Sequence, residues 1–216
     1  MAVQLPNGAT ISVAATMGAL KAMSAITNAA EAVATLEASH GVVENDILLV
    51  TSGWSKLNNR VVRADSVATN DVTLEDIDTS NTTRYPAGSG TGSVKEVATW
   101  QQIIQVLEAS SSGGEQQFAT YSFLEDDEER NIPTKKSPVV FTLSVADDQS
   151  LAQYVVLSAA DEDRVVRACR VVLPSGAIIY FAAFVTMSKI PTLTKDEVMA
   201  LQVTLSVQSQ ITRYAS

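Results

Sequence analysis

Alternation of apolar and polar residues with a period of two constrains this chain more than any other feature. It is clearest at residues 199–208. Met199, Leu201, Val203, Leu205 and Val207 fall on one side, and Gln202, Thr204, Ser206 and Gln208 on the other. Successive side chains of a strand point to opposite faces, so the pattern predicts a strand with one buried face and one wet, uncharged face. Val139, Phe141, Leu143 and Val145, opposed by Thr142 and Ser144, predict a second. Gly113-Gly114 reads as a turn between strands at residues 100–107 and 115–123. Pro174-Ser175-Gly176 reads as the turn of a hairpin that joins residues 165–173 to 177–187. One helix stands out. Asp147-Asp148 can cap it, Leu151, Tyr154, Val155 and Ser158 share a face, and it ends near Ala160, covering a sheet.

Residues 22–97 carry their own punctuation. Strands are expected at 32–36, 46–51, 60–67 and 72–75, with turns at Asn28, Ser52-Gly53 and Asn70-Asp71. A flexible Gly/Ser stretch, residues 87–93, leads back out. The expectation is a mainly β, antiparallel two-sheet sandwich or barrel with one flanking helix, built from residues 1–21 and 98–216. A small all-β module, 22–97, is inserted into it. In Ile178-Ile179-Tyr180-Phe181-Ala182-Ala183-Phe184-Val185 both faces are apolar. Such a strand is buried on both sides, either within a sandwich or under a partner subunit.

Composition narrows the chemistry. Hydrophobic residues make up 46% and charged residues 18%, enough for a packed core. The net charge of -9 suits a surface that nucleic acid passes without sticking, because phosphate contacts need clustered cations. Cys169 and His40 are the only residues of their kinds. A disulfide within the chain and a Cys-based zinc site are excluded, and a catalytic triad has one candidate base. His40 follows Ala38-Ser39 in a turn-like stretch and reads as a solvated turn residue. No catalytic residue, metal or cofactor is expected. The start shows no basic region before an apolar core, and the run 177–185 is too short to span a bilayer. A soluble protein made in a cytoplasm, without a membrane partner, is expected.

Glu125-Asp126-Asp127-Glu128-Glu129-Arg130 is the densest charge cluster. Paired acids could hydrolyse glycosides or hold calcium, but an acidic run beside Ile132-Pro133-Thr134-Lys135-Lys136 reads as a solvated loop. It is long for a β connection, which hints at docking. Trp54 reads as the core anchor of the small module, with a carbohydrate-stacking platform as the alternative. Arg164, Arg167 and Arg170 read as ion-pair partners across an interface rather than as a DNA grip. Gly88 to Gly92 lacks the Lys-Ser/Thr of a phosphate loop.

Residues 112–127, Ser112-Gly113-Gly114-Glu115-Gln116-Gln117-Phe118 at their start and Leu124-Glu125-Asp126-Asp127 at their end, resemble the Gly-Gly-Glu strand and acidic loop of tail tube proteins from phages with long, non-contractile tails. The order that follows is also similar: long loop, strand, helix, hairpin around Pro174, and a last strand entered through Thr192-Leu193-Thr194-Lys195-Asp196-Glu197-Val198. The likeness covers residues 100–214, and the module with Gly53-Trp54 and Arg84-Tyr85-Pro86 looks like an insertion seen in some members. The resemblance implies a structural subunit, not an enzyme. It would form hexameric rings, inner strands joined in one β-barrel, stacked as a tube for genome ejection. DNA would pass without specific binding. Its partners would be further copies of itself and the tape-measure, tail terminator and distal tail proteins. Its place would be the virion tail, after synthesis in a bacterial cytoplasm.

By position, Leu124, Glu125, Asp126, Asp127, Glu128, Glu129, Arg130, Ile132, Pro133, Lys135 and Lys136 would form the loop that meets the next ring, mobile until it docks. Ile178, Ile179, Tyr180, Phe181 and Phe184 would lie where subunits meet. Gln202, Thr204, Ser206 and Gln208 would line the channel or its margin. The inserted module would project outward and be dispensable for polymerisation. Alternatives are the tube of a contractile tail or type VI secretion system, a terminator or distal-tail ring, a carbohydrate-binding virion module using Trp54, and, weakest, an enzyme built on the acidic loop.

Overall fold

The computed structural model describes residues 7–215. Two antiparallel systems share one long strand. β1 (Thr10–Met17) lies along β7 (Gly92–Ile103). Between them the chain forms β2 (Lys21–Ile26), β3 (Val33–Leu36), β4 (Ile47–Ser52), β5 (Arg60–Ala68) and β6 (Asp71–Leu74). The ladder β2-β3-β6-β5-β4-β7 closes on itself, because β2 also pairs with the start of β7. The result is a six-stranded barrel with no edge left open. Its inside is filled by Leu48, Val50, Trp54, Val62, Val72, Leu74 and Ile77. β3 to β6 form within a residue or two of their expected ends. β7 runs unbroken across position 97–98.

The Gly/Ser stretch before β7 is a clasp, not a flexible linker. A side chain at Gly90 would meet Ile26 and the Trp54 ring, and one at Gly92 would lie 2.0 Å from the Thr51 carbonyl oxygen. Backbone packs where a Cβ would not fit.

The second system follows the order β7-β1-β12-β13-β14-β11-β8, with β12 (Arg167–Val172), β13 (Ile178–Met187), β14 (Ala200–Val207), β11 (Val140–Ala146) and β8 (Val106–Ser112). β15 (Thr212–Tyr214) pairs with the first residues of β13. β12 covers one side of β13 only as far as Ala183, and β14 pairs along the other side from Ala183 to Met187. Ile11 and Val13 of β1 share a core with Leu143 and Val145 of β11, so the sheet folds over onto itself at β13. The strand expected at 100–107 is therefore two strands. Gln105 has positive φ, and the chain turns there from one layer to the other.

α1 (Ala152–Asp163) covers part of this core and secures the turn. Gln153 accepts the Ile104 N–H at 2.6 Å and donates to the Ile104 carbonyl at 3.1 Å. Its buried residues are Gln153, Leu157 and Ala160; of the expected Leu151, Tyr154, Val155 and Ser158, Tyr154 packs partly buried against the core and Val155 is 66% exposed. Asp148 accepts hydrogen bonds from Ser150 instead of capping the helix, whose N-cap is Leu151. The helix runs past Ala160 to Asp163.

Both faces of β13 are covered within one chain. Phe181, Ala183, Val185 and Met187 face the core beneath α1. Tyr180 and Ala182 face a third cluster with Leu49 and Val61 of the barrel and Tyr214 of β15. Tyr214 clamps the two systems. Its hydroxyl accepts the Arg63 N–H at 3.0 Å and donates to the Glu75 carbonyl at 3.2 Å, under the Arg63 guanidinium. Burial pushes its pKa up to about 12, which keeps that donor protonated.

Candidate functional site

Three surface features stand out. The first is a polar face on β13-β14-β11-β8. Register aligns Ser112, Val140, Ser206 and Phe184 in one row and Ser110, Thr142, Thr204 and Thr186 in the next. Glu108, Ser144 and Gln202 follow. Glu108 is the one charge among these side chains. Of the four residues expected to line a channel, Gln202, Thr204 and Ser206 share this face. Gln208 lies past the end of β14, where its N–H bonds the Ala182 carbonyl. Ser110, Ser112, Thr142, Ser144 and Thr186 join the face through register. The run Glu108-Ala109-Ser110-Ser111-Ser112 has too little apolar alternation to mark one side.

The second feature is the pair of edges of this four-stranded layer. Among the described residues, β8 pairs only with β11. On the far side, residues 184–187 of β13 pair, among the described residues, only with β14. One edge N–H there, that of Met187, donates to Asp161 of α1 at 3.3 Å. Three antiparallel steps separate β13 from β8, so the two edge strands run in opposite directions.

The third is an arm. β9 (Gln116–Tyr121) and β10 (Arg130–Lys136) form a separate two-stranded ladder. Half of the expected loop 124–137 is thus a strand: Arg130, Ile132, Pro133, Lys135 and Lys136 lie on β10. Leu124, Glu125, Asp126, Asp127, Glu128 and Glu129 make the tip, where Asp126 and Arg130 pair at 3.5 Å. A hairpin satisfies backbone groups that an irregular loop would leave to water. Phe118, Phe123, Leu124 and Ile132 are each more than half exposed. Gly113-Gly114 is not a turn between paired strands. It is the bend where β8 leaves the sheet for the arm, beside Pro138 on the returning strand. A side chain at Gly113, with φ of 84°, would sit 1.9 Å from the Pro138 carbonyl oxygen.

Other expected site residues lie elsewhere. Tyr180 and Phe181 are 3% and 4% exposed inside the chain, so two-faced burial there needs no partner. Ile178, Ile179 and Phe184 are half-buried. Trp54 is 2% exposed, donates Nε1–H to the Pro86 carbonyl at 2.7 Å and meets Tyr85 edge-on, which removes it as a carbohydrate platform. His40 is buried, not solvated. Nδ1 accepts the Val42 N–H, so Nε2 carries the proton to the Thr69 carbonyl. Arg167 pairs with Asp163 and Arg170 stacks 4.7 Å over Trp100, so both are used within the chain.

A family model described as phage tail tube protein, TTP, matches residues 52–216. No curated protein matches the chain. Among solved structures, one similar chain comes from the cryo-EM structure of an extracellular contractile injection system, the PVC sheath-tube complex in its extended state. It is 10% identical with a TM-score of 0.34, over 50% of this chain and 80% of that one.

Proposed function

We propose a specific role from one premise: this chain belongs to the phage tail tube protein family. Copies join side by side through β8 of one and the 184–187 edge of β13 of the next, closing into the hexameric rings that the resemblance implies. Rings stack, and DNA passes through the middle. The observation that carries this is the four-stranded layer with two open edges of opposite direction. Antiparallel pairing then continues from copy to copy, and closure removes edges that would otherwise aggregate.

The hydroxyl face of that layer would line the channel. It offers no Lys or Arg to trap phosphate, and Glu108 repels it. The arm would reach the neighbouring ring. The tape-measure, terminator and distal tail proteins remain partners by resemblance alone. The role is structural, with no catalytic step. The test is electron microscopy of the purified protein. Stacked rings with β8 beside a neighbour's β13 and Thr204 towards the lumen are expected. Tubes with Thr204 on the outside would overturn the channel assignment.

A further inference from the structure

Among the described residues, the apolar face beneath α1 is covered at one end only. Towards Ala200 and Ala146, the helix packs Leu157 against Leu201 and Val203. Towards Val207 and Val140, where the arm leaves, the same face opens into a cleft of about 450 Å³ lined by Ile11, Phe141, Val171, Ile179, Val207 and Ile211 among others. Ile211 is 49% exposed. At the opposite end of β14, residues 188–199 carry Ile190, Leu193, Val198 and Met199, exposed by 79%, 77%, 62% and 50%. Exposed apolar groups this concentrated mark contact surfaces.

We propose that the loop 188–199 of one copy seats in this cleft of the next copy along the tube. The inference rests on the stacked-tube reading and names the surfaces that stack. The two surfaces lie at opposite ends of the same strands, so they cannot meet within one chain. They meet when a second copy is displaced along those strands. A contact between two different patches, repeated without closure, builds an open-ended stack.

Charge agrees. Lys135 and Lys136 stand at the arm base, within a few residues of the cleft residue Val139, and Asp196 and Glu197 lie within the loop beside Val198. None of these four has an ion-pair partner among the described residues. Opposed charges at the rim would set register and encounter rate.

The test mixes two full-length variants, Leu193→Cys and Val139→Cys, with a short bismaleimide. Cys169 is buried and stays silent. A covalent dimer that forms in the mixture and in neither variant alone is the expected result. Tubes from the mixture without that dimer overturn the seating while leaving the stacked tube standing. Absence of both tubes and dimer overturns both. A second pair, Lys136→Glu and Glu197→Lys, should each slow tube growth by about two- to fivefold, the range that exposed ion pairs are worth, and together restore it. Failure of the double variant to recover overturns the charge pairing.

Discussion

The Cys169 thiol lies in the core beneath α1, and burial pushes its pKa up to about 12. The thiolate is the reactive form, so the native protein should resist alkylation at pH 8. Iodoacetamide followed by mass spectrometry should find Cys169 unmodified in buffer and modified in denaturant. Fast modification in buffer would mean the core opens. Trp54 anchors the barrel in the same sense. It packs under Gly90 and against Tyr85, and its indole N–H is satisfied by Pro86. Trp54→Ala should cost about 3–5 kcal/mol, read from the denaturation midpoint. A loss of glycan binding with full stability would instead revive the carbohydrate reading.

Among the elements, the arm carries the sharpest expectation. A two-stranded hairpin is marginal in water unless something packs on it, and among the described residues β9 and β10 have no third strand. Little of the subunit's stability then depends on the tip, whereas a neighbour's contact with it does. Reversing Asp126, Asp127 and Glu128 to Lys should slow or block polymerisation and leave the fold intact. Light scattering and microscopy follow growth, and circular dichroism checks folding. Wild-type tube length and yield would take the tip out of the assembly mechanism. The Arg130 partner on β10 would lose Asp126 in this variant, a cost of at most about 1 kcal/mol for an exposed pair.

For the whole molecule, the barrel is tied to the sheet more closely than an appended module would be. β7 belongs to both, and Leu49 and Val61 share a cluster with Tyr180 and Tyr214. Calorimetry should therefore show one cooperative transition; two well-separated ones would argue for independent units. Replacing residues 22–97 with a Gly-Ser linker would also uncover Tyr180 and Tyr214. Such a chain is expected to aggregate unless both tyrosines are made polar, as size-exclusion chromatography would report. Tubes formed by the simple deletion would support the expectation that the module is dispensable for polymerisation.

Period-two patterning by itself determined β11 and β14, since one buried face writes itself into alternate residues. Leu201, Val203 and Leu205 against Gln202, Thr204 and Ser206 needed no structure to assign. Four of the six barrel strands, β3 to β6, were legible from the turns between them, whereas β2 and the first half of β7 were not, and the single histidine and cysteine already limited the chemistry. What the sequence could not decide was pairing. Register placed Ser110, Thr142 and Thr186 beside Thr204, and a ladder between distant strands has no local signature. Residues 130–136 lack alternation because both faces of the arm are wet, so they read as loop. The residues 178–185 gave two apolar faces but not their cover. Only the tertiary structure showed that the barrel and Tyr214 supply one side and α1 the other, because burial is a property of what folds back over a strand, not of the strand.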